Sequence, residues 1–286
     1  MSVADRPRRA LVVGAVTRDL EAAHATGNGF RPGGVVFHGG LALARLGAAT
    51  RVVTRVQPED EDVLLAPLRL EGVETVALAS RATTTYANDY SDGRSRHELH
   101  AMSDPIGAAD VPESWRDADL VQLGPLHPRD ILPETAAVLR GFKGIDVQGL
   151  VRVPGPDGTR LRPFAALGSF LAHVDVVQSS ERELPAVLDG SSLERFVARH
   201  GVHEMIVTRG ARGATVVTRD GTTDVPACPT RGTAQVGAGD VFLASYLLSR
   251  VRGRGPREAA EEAARVAAAK IAHGEVRSVR LSVPRR

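Results

Sequence analysis

The chain of 286 residues holds a single cysteine. Cys228 has no intrachain partner, so a disulfide framework and a multi-cysteine metal site are both excluded. It stands in DVPACPT, where a small, partly buried side chain is the plain reading. No stretch reaches the roughly 18 uninterrupted apolar residues that suggest a membrane span. The opening MSVADRPRRALVVGAV carries basic residues, but its apolar run is too short for a signal peptide and reads as entry into a strand. Charge of one sign is lacking too: 36 basic residues face 34 acidic ones, for a formal net charge of +2. Nothing forms the concentrated basic stripe that nucleic-acid binding requires. Arg280 to Arg286 reads as a solvated tail. The expectation is a cytoplasmic protein of a reducing compartment that handles a small molecule, with neither nucleic acid nor membrane as partner.

What is present is an alternation. Strand-like runs fall at 10–16, 50–56, 118–124, 144–147, 174–178 and 204–210, several of them apolar throughout, as strands covered on both faces are. Helical patterns lie between them at 34–46, 59–70, 133–140 and 191–200, and glycines near their ends supply stop signals. This order predicts an α/β fold, a doubly wound and mostly parallel sheet flanked by helices, as one domain over residues 1–286. Two hairpins interrupt it. The first, 83–101, turns at Asp92-Gly93 and has arms polar on both faces, which suits a small exposed β flap. The second, 213–227, turns near Asp220-Gly221. A final Ala-rich helix starts at Pro256 and stops at Gly274.

Three glycine sites carry candidate chemistry. RGTAQVGAGDVFLASYLL (231–248) sets Gly237, Ala238 and Gly239 at the head of an apolar helix, where unpaired amides and the helix dipole receive anions. Asp240 repels a phosphate there, so it is either a helix-start acid or a base taking a proton from an attacking hydroxyl. Gly33-Gly34 precede a second helix and let a ligand approach backbone, or simply turn the chain. VTRGARGA (207–214) runs a strand into Gly210 and Gly213.

Taken in order, VVGAVTRDL, PGG before ALARLG, the flap, LGPL, DVVQSSERE, VTRGARGA and GAGDVF resemble the ribokinase/PfkB family of sugar and nucleoside kinases over nearly the whole chain. GAVTRDL, TTTYANDY and DVQGLVR look most like its myo-inositol kinase-like branch. The resemblance implies a ribokinase-like fold and transfer of the γ-phosphoryl group of ATP, with Mg²⁺, to an acceptor hydroxyl. Asp240 would be the general base, and the amides of Gly237, Ala238 and Gly239 the anion hole. Thr208, Gly210 and Gly213 match the ATP loop, and Glu183 the acid that organises the metal through water. Asp19, at the end of the first strand, matches the acid that grips acceptor hydroxyls, with Gly33 and Gly34 as the substrate-side pair. Asn88, on a strand face shared with Tyr86 and Tyr90, and Asp146, Gln148 and Arg152, after a strand, complete the acceptor side together with His38. His97 and His100 lie on opposite strand faces without metal-ligand companions. Related flaps pair between subunits, which is compatible with a homodimer.

The pattern has departures. Where the family carries an Asp-Thr pair that helps hold a monovalent cation, this chain has Ala234 and Gln235, so potassium activation does not carry over. His38 replaces an Asn after the substrate glycines, Ser180 replaces the Asn of the metal-side element, and Ser245 replaces a helix glycine. A catalytically inactive sugar-binding relative is the reading from another class. A nucleoside acceptor needs a flat aromatic slot, for which the chain has 4% aromatic residues, Phe37, Tyr86 and Tyr90 among them. A polyol or sugar is favoured. A dinucleotide enzyme fits less, because GAVTRD is no glycine-rich dinucleotide turn.

Overall fold

The computed structural model describes residues 6–21, 29–89, 96–155, 158–232 and 234–276. Its strands are β1 (Arg9–Gly14), β2 (Thr17–Glu21), β3 (Phe30–Gly33), β4 (Ala49–Val56), β5 (Glu74–Ala79), β6 (Thr85–Asp89), β7 (Arg96–Ala101), β8 (Asp117–Gly124), β9 (Arg140–Asp146), β10 (Arg152–Gly155), β11 (Gly158–Leu161), β12 (Val176–Ser180), β13 (Glu204–Thr208), β14 (Ala214–Thr218) and β15 (Gly221–Val225). The α-helices are α1 (Gly34–Arg45), α2 (Pro58–Leu70), α3 (Pro133–Val138), α4 (Gln148–Val151), α5 (Leu167–Leu171), α6 (Leu184–Leu188), α7 (Leu193–His200), α8 (Ala238–Val251) and α9 (Pro256–His273).

Nine strands form the main sheet in the order β15-β14-β13-β12-β9-β8-β1-β4-β5. From β13 to β5 every neighbouring pair is parallel, while β14 and β15 close one edge antiparallel. The apolar strand runs divide by parity, as a sheet covered on both faces requires. Ala10 and Val12 of β1 join the core under α1, α8 and α9, whereas Leu11 and Val13 join the core that includes residues of α3, α5 and α7. The fold class is the doubly wound α/β sheet that the alternation predicts. Among the described residues, no helix is long and apolar enough to cross a membrane.

The flap is larger than the 83–101 hairpin. It is a separate four-stranded sheet, β3-β2-β6-β7, in which β2 runs parallel to β6. The run read as one strand through residue 16 ends at Gly14, and Asp19 belongs to β2 of the flap rather than to the first core strand. The reason is local: Gly14 has φ +156°, and polar residues from Thr17 onward cannot continue a strand buried on both faces. The flap base is not exposed either, since Thr83, Thr84 and Thr85 are buried. The tip, with Asp92, Gly93 and Tyr90, lies outside the described residues.

Smaller differences follow from capping. The helix expected over 133–140 stops at Val138, and Arg140 already begins β9. The strand expected over 204–210 stops at Thr208, where Gly210 (φ +55°) opens a tight turn. Ser192 caps α7, its hydroxyl accepting from the Arg195 amide, so the helix starts at Leu193. Elements without a counterpart in the sequence reading include β3, β5, the hairpin β10-β11 and the short helices α4 and α5.

Candidate active site

The site forms where the central parallel strands end, the position at which ligands collect in open α/β sheets. Gln122 of β8, Asp146 of β9 and Gln178 of β12 all point to the face that α8 covers, because they share parity with Leu120, Gly144 and Val176. The two glutamine amides fasten the head of α8 to the sheet. Gln122 Nε2 donates to the Asp240 carbonyl (3.0 Å), and Gln178 Nε2 donates to Gly239 O (3.0 Å) and to Asp146 Oδ2 (2.8 Å). Neither glutamine was singled out in the sequence. The available signal was a polar side chain on the α8 face of an otherwise buried strand.

Gly237 precedes α8 in the left-handed region (φ +73°), and a Cβ there would lie 2.1 Å from the His38 ring. Only glycine meets both demands. Among the described residues, the amides of Gly237 and Gly239 have no protein acceptor, whereas the Ala238 amide is committed to Gln235 O (3.0 Å). The helix dipole points its positive end at the same place.

Asp240, 5% exposed, sits in the first turn of α8. Its Oδ1 is buried and has no hydrogen-bond partner. Burial, then the neighbouring charge of Asp146, pushes its carboxyl up to about 8, against the opposing pull of Lys270 and Arg152. Asp146 is itself raised to about 6, by burial and by Glu183, although it accepts from the Gln148 amide (2.9 Å) and from Gln178. Glu183, 2% exposed, pairs with Arg152 at 2.5 Å and accepts from the Ser180 amide (2.9 Å). Three carboxylates thus share one buried region with one arginine, the arrangement that separates proton affinities at reactive sites.

On the flap side, Asp19 Oδ1 accepts from the Thr17 hydroxyl (2.7 Å). A Cβ on Gly33 would lie 2.2 Å from Asp19 Oδ2, so that glycine makes room for the carboxylate. Asp19 pairs with Tyr86 across β2 and β6, and its charge is felt at Asp240. The Tyr86 hydroxyl donates to Leu126 O (2.7 Å), while the Leu126 amide donates to buried Asp130 (2.9 Å). Flap and core are thereby tied through the loop that follows β8. His38, on α1, is lowered to about 3 by burial and by Lys270, so its ring is neutral, and its Nε2 has no partner. Asn88 pairs by backbone with Glu21 and His97. Gln148 opens α4 next to Asp146, and Gly34 (φ +82°) opens α1.

Thr208, Gly210 and Gly213 lie along the turn from β13 to β14, at the same end of the sheet. That turn is braced by ion pairs of Arg212 with Glu181 and of Arg209 with Asp224. Among the described residues, no three His, Cys, Asp or Glu side chains cluster to hold a metal. His100 lies beside Glu98 at 3.8 Å on the flap, with no metal-like cluster around it.

Glycine amides at a helix head, beside a carboxylate of raised proton affinity at the strand ends, form an arrangement compatible with a phosphotransferase acting on an alcohol. The comparison with known families agrees: residues 8–282 match the pfkB family carbohydrate kinase model, and the chain belongs to that family. It is 26% identical over 245 residues to a fructokinase of Rhizobium leguminosarum bv. trifolii, covering 77% of this chain and 72% of that one. A solved pyrophosphate-dependent kinase in the ribokinase family, complexed with a pyrophosphate analog and myo-inositol, superimposes with a TM-score of 0.82. It is 24% identical and covers 94% of this chain and 97% of its own. A fructokinase double mutant from Vibrio cholerae, with fructose, ADP and potassium bound, gives 0.75 at 20% identity and covers 94% of each chain.

Proposed function

We propose that this carbohydrate kinase transfers the γ-phosphoryl group of ATP to a hydroxyl of a small polyol or sugar, with Asp240 as general base. The observation that carries the reading is Asp240 itself: a buried carboxylate with an unpartnered oxygen, raised to about 8, beside the amides of Gly237 and Gly239, which have no acceptor among the described residues. In its ionised form Asp240 takes the acceptor's proton as the new O–P bond forms, while the bond from the γ-phosphorus to ADP breaks and ADP leaves. The cradle at residues 237–239, with Gly237 and Gly239 open, stabilises charge on the transferring group. Asp19 orients the acceptor against Gly33 and Gly34, with His38, Asn88, Gln148 and Arg152 completing that side. Thr208, Gly210 and Gly213 receive the nucleotide. Glu183 would hold, through water, a Mg²⁺ bound with the donor, and that ion would supply positive charge against the phosphates.

Inorganic pyrophosphate as donor is the second reading. Gly232 packs directly on α9, where a Cβ would lie 1.9 Å from Ile271 O, so the loop before α8 closes against that helix. A donor without a base needs no opening there. The reading further takes residues 1–286 as one domain in the cytoplasm, paired with a second copy through the flap; gel filtration tests the pairing. The decisive assay mixes the protein and Mg²⁺ with ATP or pyrophosphate and a panel of inositols, sugars and nucleosides. Product formation with a polyol or sugar and ATP supports the main reading, and formation only with pyrophosphate supports the second. Acceptor binding without turnover under either donor overturns both in favour of a sugar-binding protein.

A further inference from the structure

Of the 36 basic side chains, only two are lysines, Lys143 and Lys270. Both aim the ammonium at backbone carbonyls, but only Lys270 does so at the active site. It projects from the Ala-rich helix α9 and is 4% exposed. Its Nζ donates to Ala234 O (2.8 Å) and to Val236 O. The carbonyl between them, of Gln235, accepts from the Ala238 amide. All three carbonyls of the segment entering the anion cradle are therefore committed, two of them to one ammonium. The charge of Lys270 is also felt by Asp240 and by His38, whose ring rests on Gly237.

Two backbone carbonyls converging on one part-buried point are matched by a cation or by a pair of donors. Position 234, where the resemblance expects an acid beside a dissociable ion, is alanine. The locus does not fit a dissociable ion, because a covalent one already fills it. A compact ammonium with rotatable donors suits this point, whereas a planar guanidinium does not.

We propose that Lys270 is a built-in monovalent cation, a positioning residue that fixes the Ala234 and Val236 carbonyls, aims the 237–239 cradle and supplies positive charge beside Asp240. The proposal rests on the kinase reading. It makes turnover independent of potassium, with the ammonium standing in for a dissociable ion. Replacing an acid and an ion by alanine and lysine also leaves the site one positive charge richer, which favours ionised Asp240.

The test has one arm on the reaction and one on the ion. Initial rates of the wild-type protein are expected to agree within about twofold in potassium, sodium and choline chloride. Lys270→Ala is expected to lose at least about tenfold in kcat in choline chloride and to recover part of it with potassium or methylammonium. Crystals soaked in rubidium chloride are expected to show an anomalous peak between the Ala234 and Val236 carbonyls in Lys270→Ala and none there in the wild type. A wild-type rate that depends on potassium overturns the proposal, as does a rubidium peak in the wild type or full turnover in Lys270→Met. If Lys270→Ala and Lys270→Met do not fold, the two wild-type measurements still decide. If no acceptor is turned over, the kinase reading fails, and the rubidium arm tests the internal cation on its own.

Discussion

The two ends of α8 each bury a carboxylate against the sheet, and they treat it in opposite ways. Glu204, 4% exposed and packed under the C-terminal half of the helix, accepts from Arg250 through Nε and Nη2 (2.9 and 2.6 Å) and from the Tyr246 hydroxyl (2.6 Å). Asp240, 5% exposed at the other end, keeps an oxygen without a partner and feels Asp146 as a second negative charge. Burial is nearly equal, so burial alone distinguishes nothing. Partnering does: a satisfied carboxylate fastens helix to sheet, while an unsatisfied one keeps the proton affinity that a base needs.

Breaking each end separately tests this contrast, and the largest effect belongs to the base. Asp240→Asn is expected to lower kcat by about 10²–10⁴-fold while acceptor binding, measured by calorimetry, persists. The same substitution is expected to stabilise the fold. A carboxyl raised to about 8 in the folded protein favours the protonated form, so ionisation costs stability progressively above its unfolded value near 4. The melting-temperature gain of Asp240→Asn over wild type should therefore grow with pH and level off above about 8.

Glu204→Gln should do the reverse. Leaving Arg250 without its carboxylate is expected to cost about 3 kcal/mol in urea unfolding, with kcat unchanged in the protein that remains folded. Gly237→Ala comes next, because it forces a side chain into left-handed backbone at a cost of about 1–2 kcal/mol and pushes on His38. At least about a tenfold loss in kcat is expected, and retained turnover would detach the cradle from the mechanism. The smallest effect sharpens the contrast through pH. With Asp240 as base, kcat/KM should rise with pH and level off above about 8, and Lys270→Met should move that limb to higher pH by removing a charge that favours the carboxylate.

Much of the sheet was legible because strands covered on both faces must be apolar throughout, and such runs stand out from their surroundings. The flap was half legible. The pair β6-β7 has a hairpin's pattern, but β2 and β3 are polar, short and separated by residues 22–29, so nothing local announces that they pair. The GAGD element was legible because glycine and aspartate at a helix head conflict with simple anion binding. Gln122, Gln178 and Lys270 were not. Their roles come from chain-distant partners, the carbonyls of residues 234, 236, 239 and 240, and spacing along the sequence carries no trace of those contacts.

One helix joins the two halves of the site. Strand β3 ends at Gly33 and α1 begins at Gly34, with no residue between them. Gly33 borders Asp19, and one turn into the same helix His38 lies against Gly237. In the proposed reading, acceptor choice and donor chemistry therefore share a single stiff rod, and a shift of α1 made to suit a different acceptor is expected to reach Gly237 through His38.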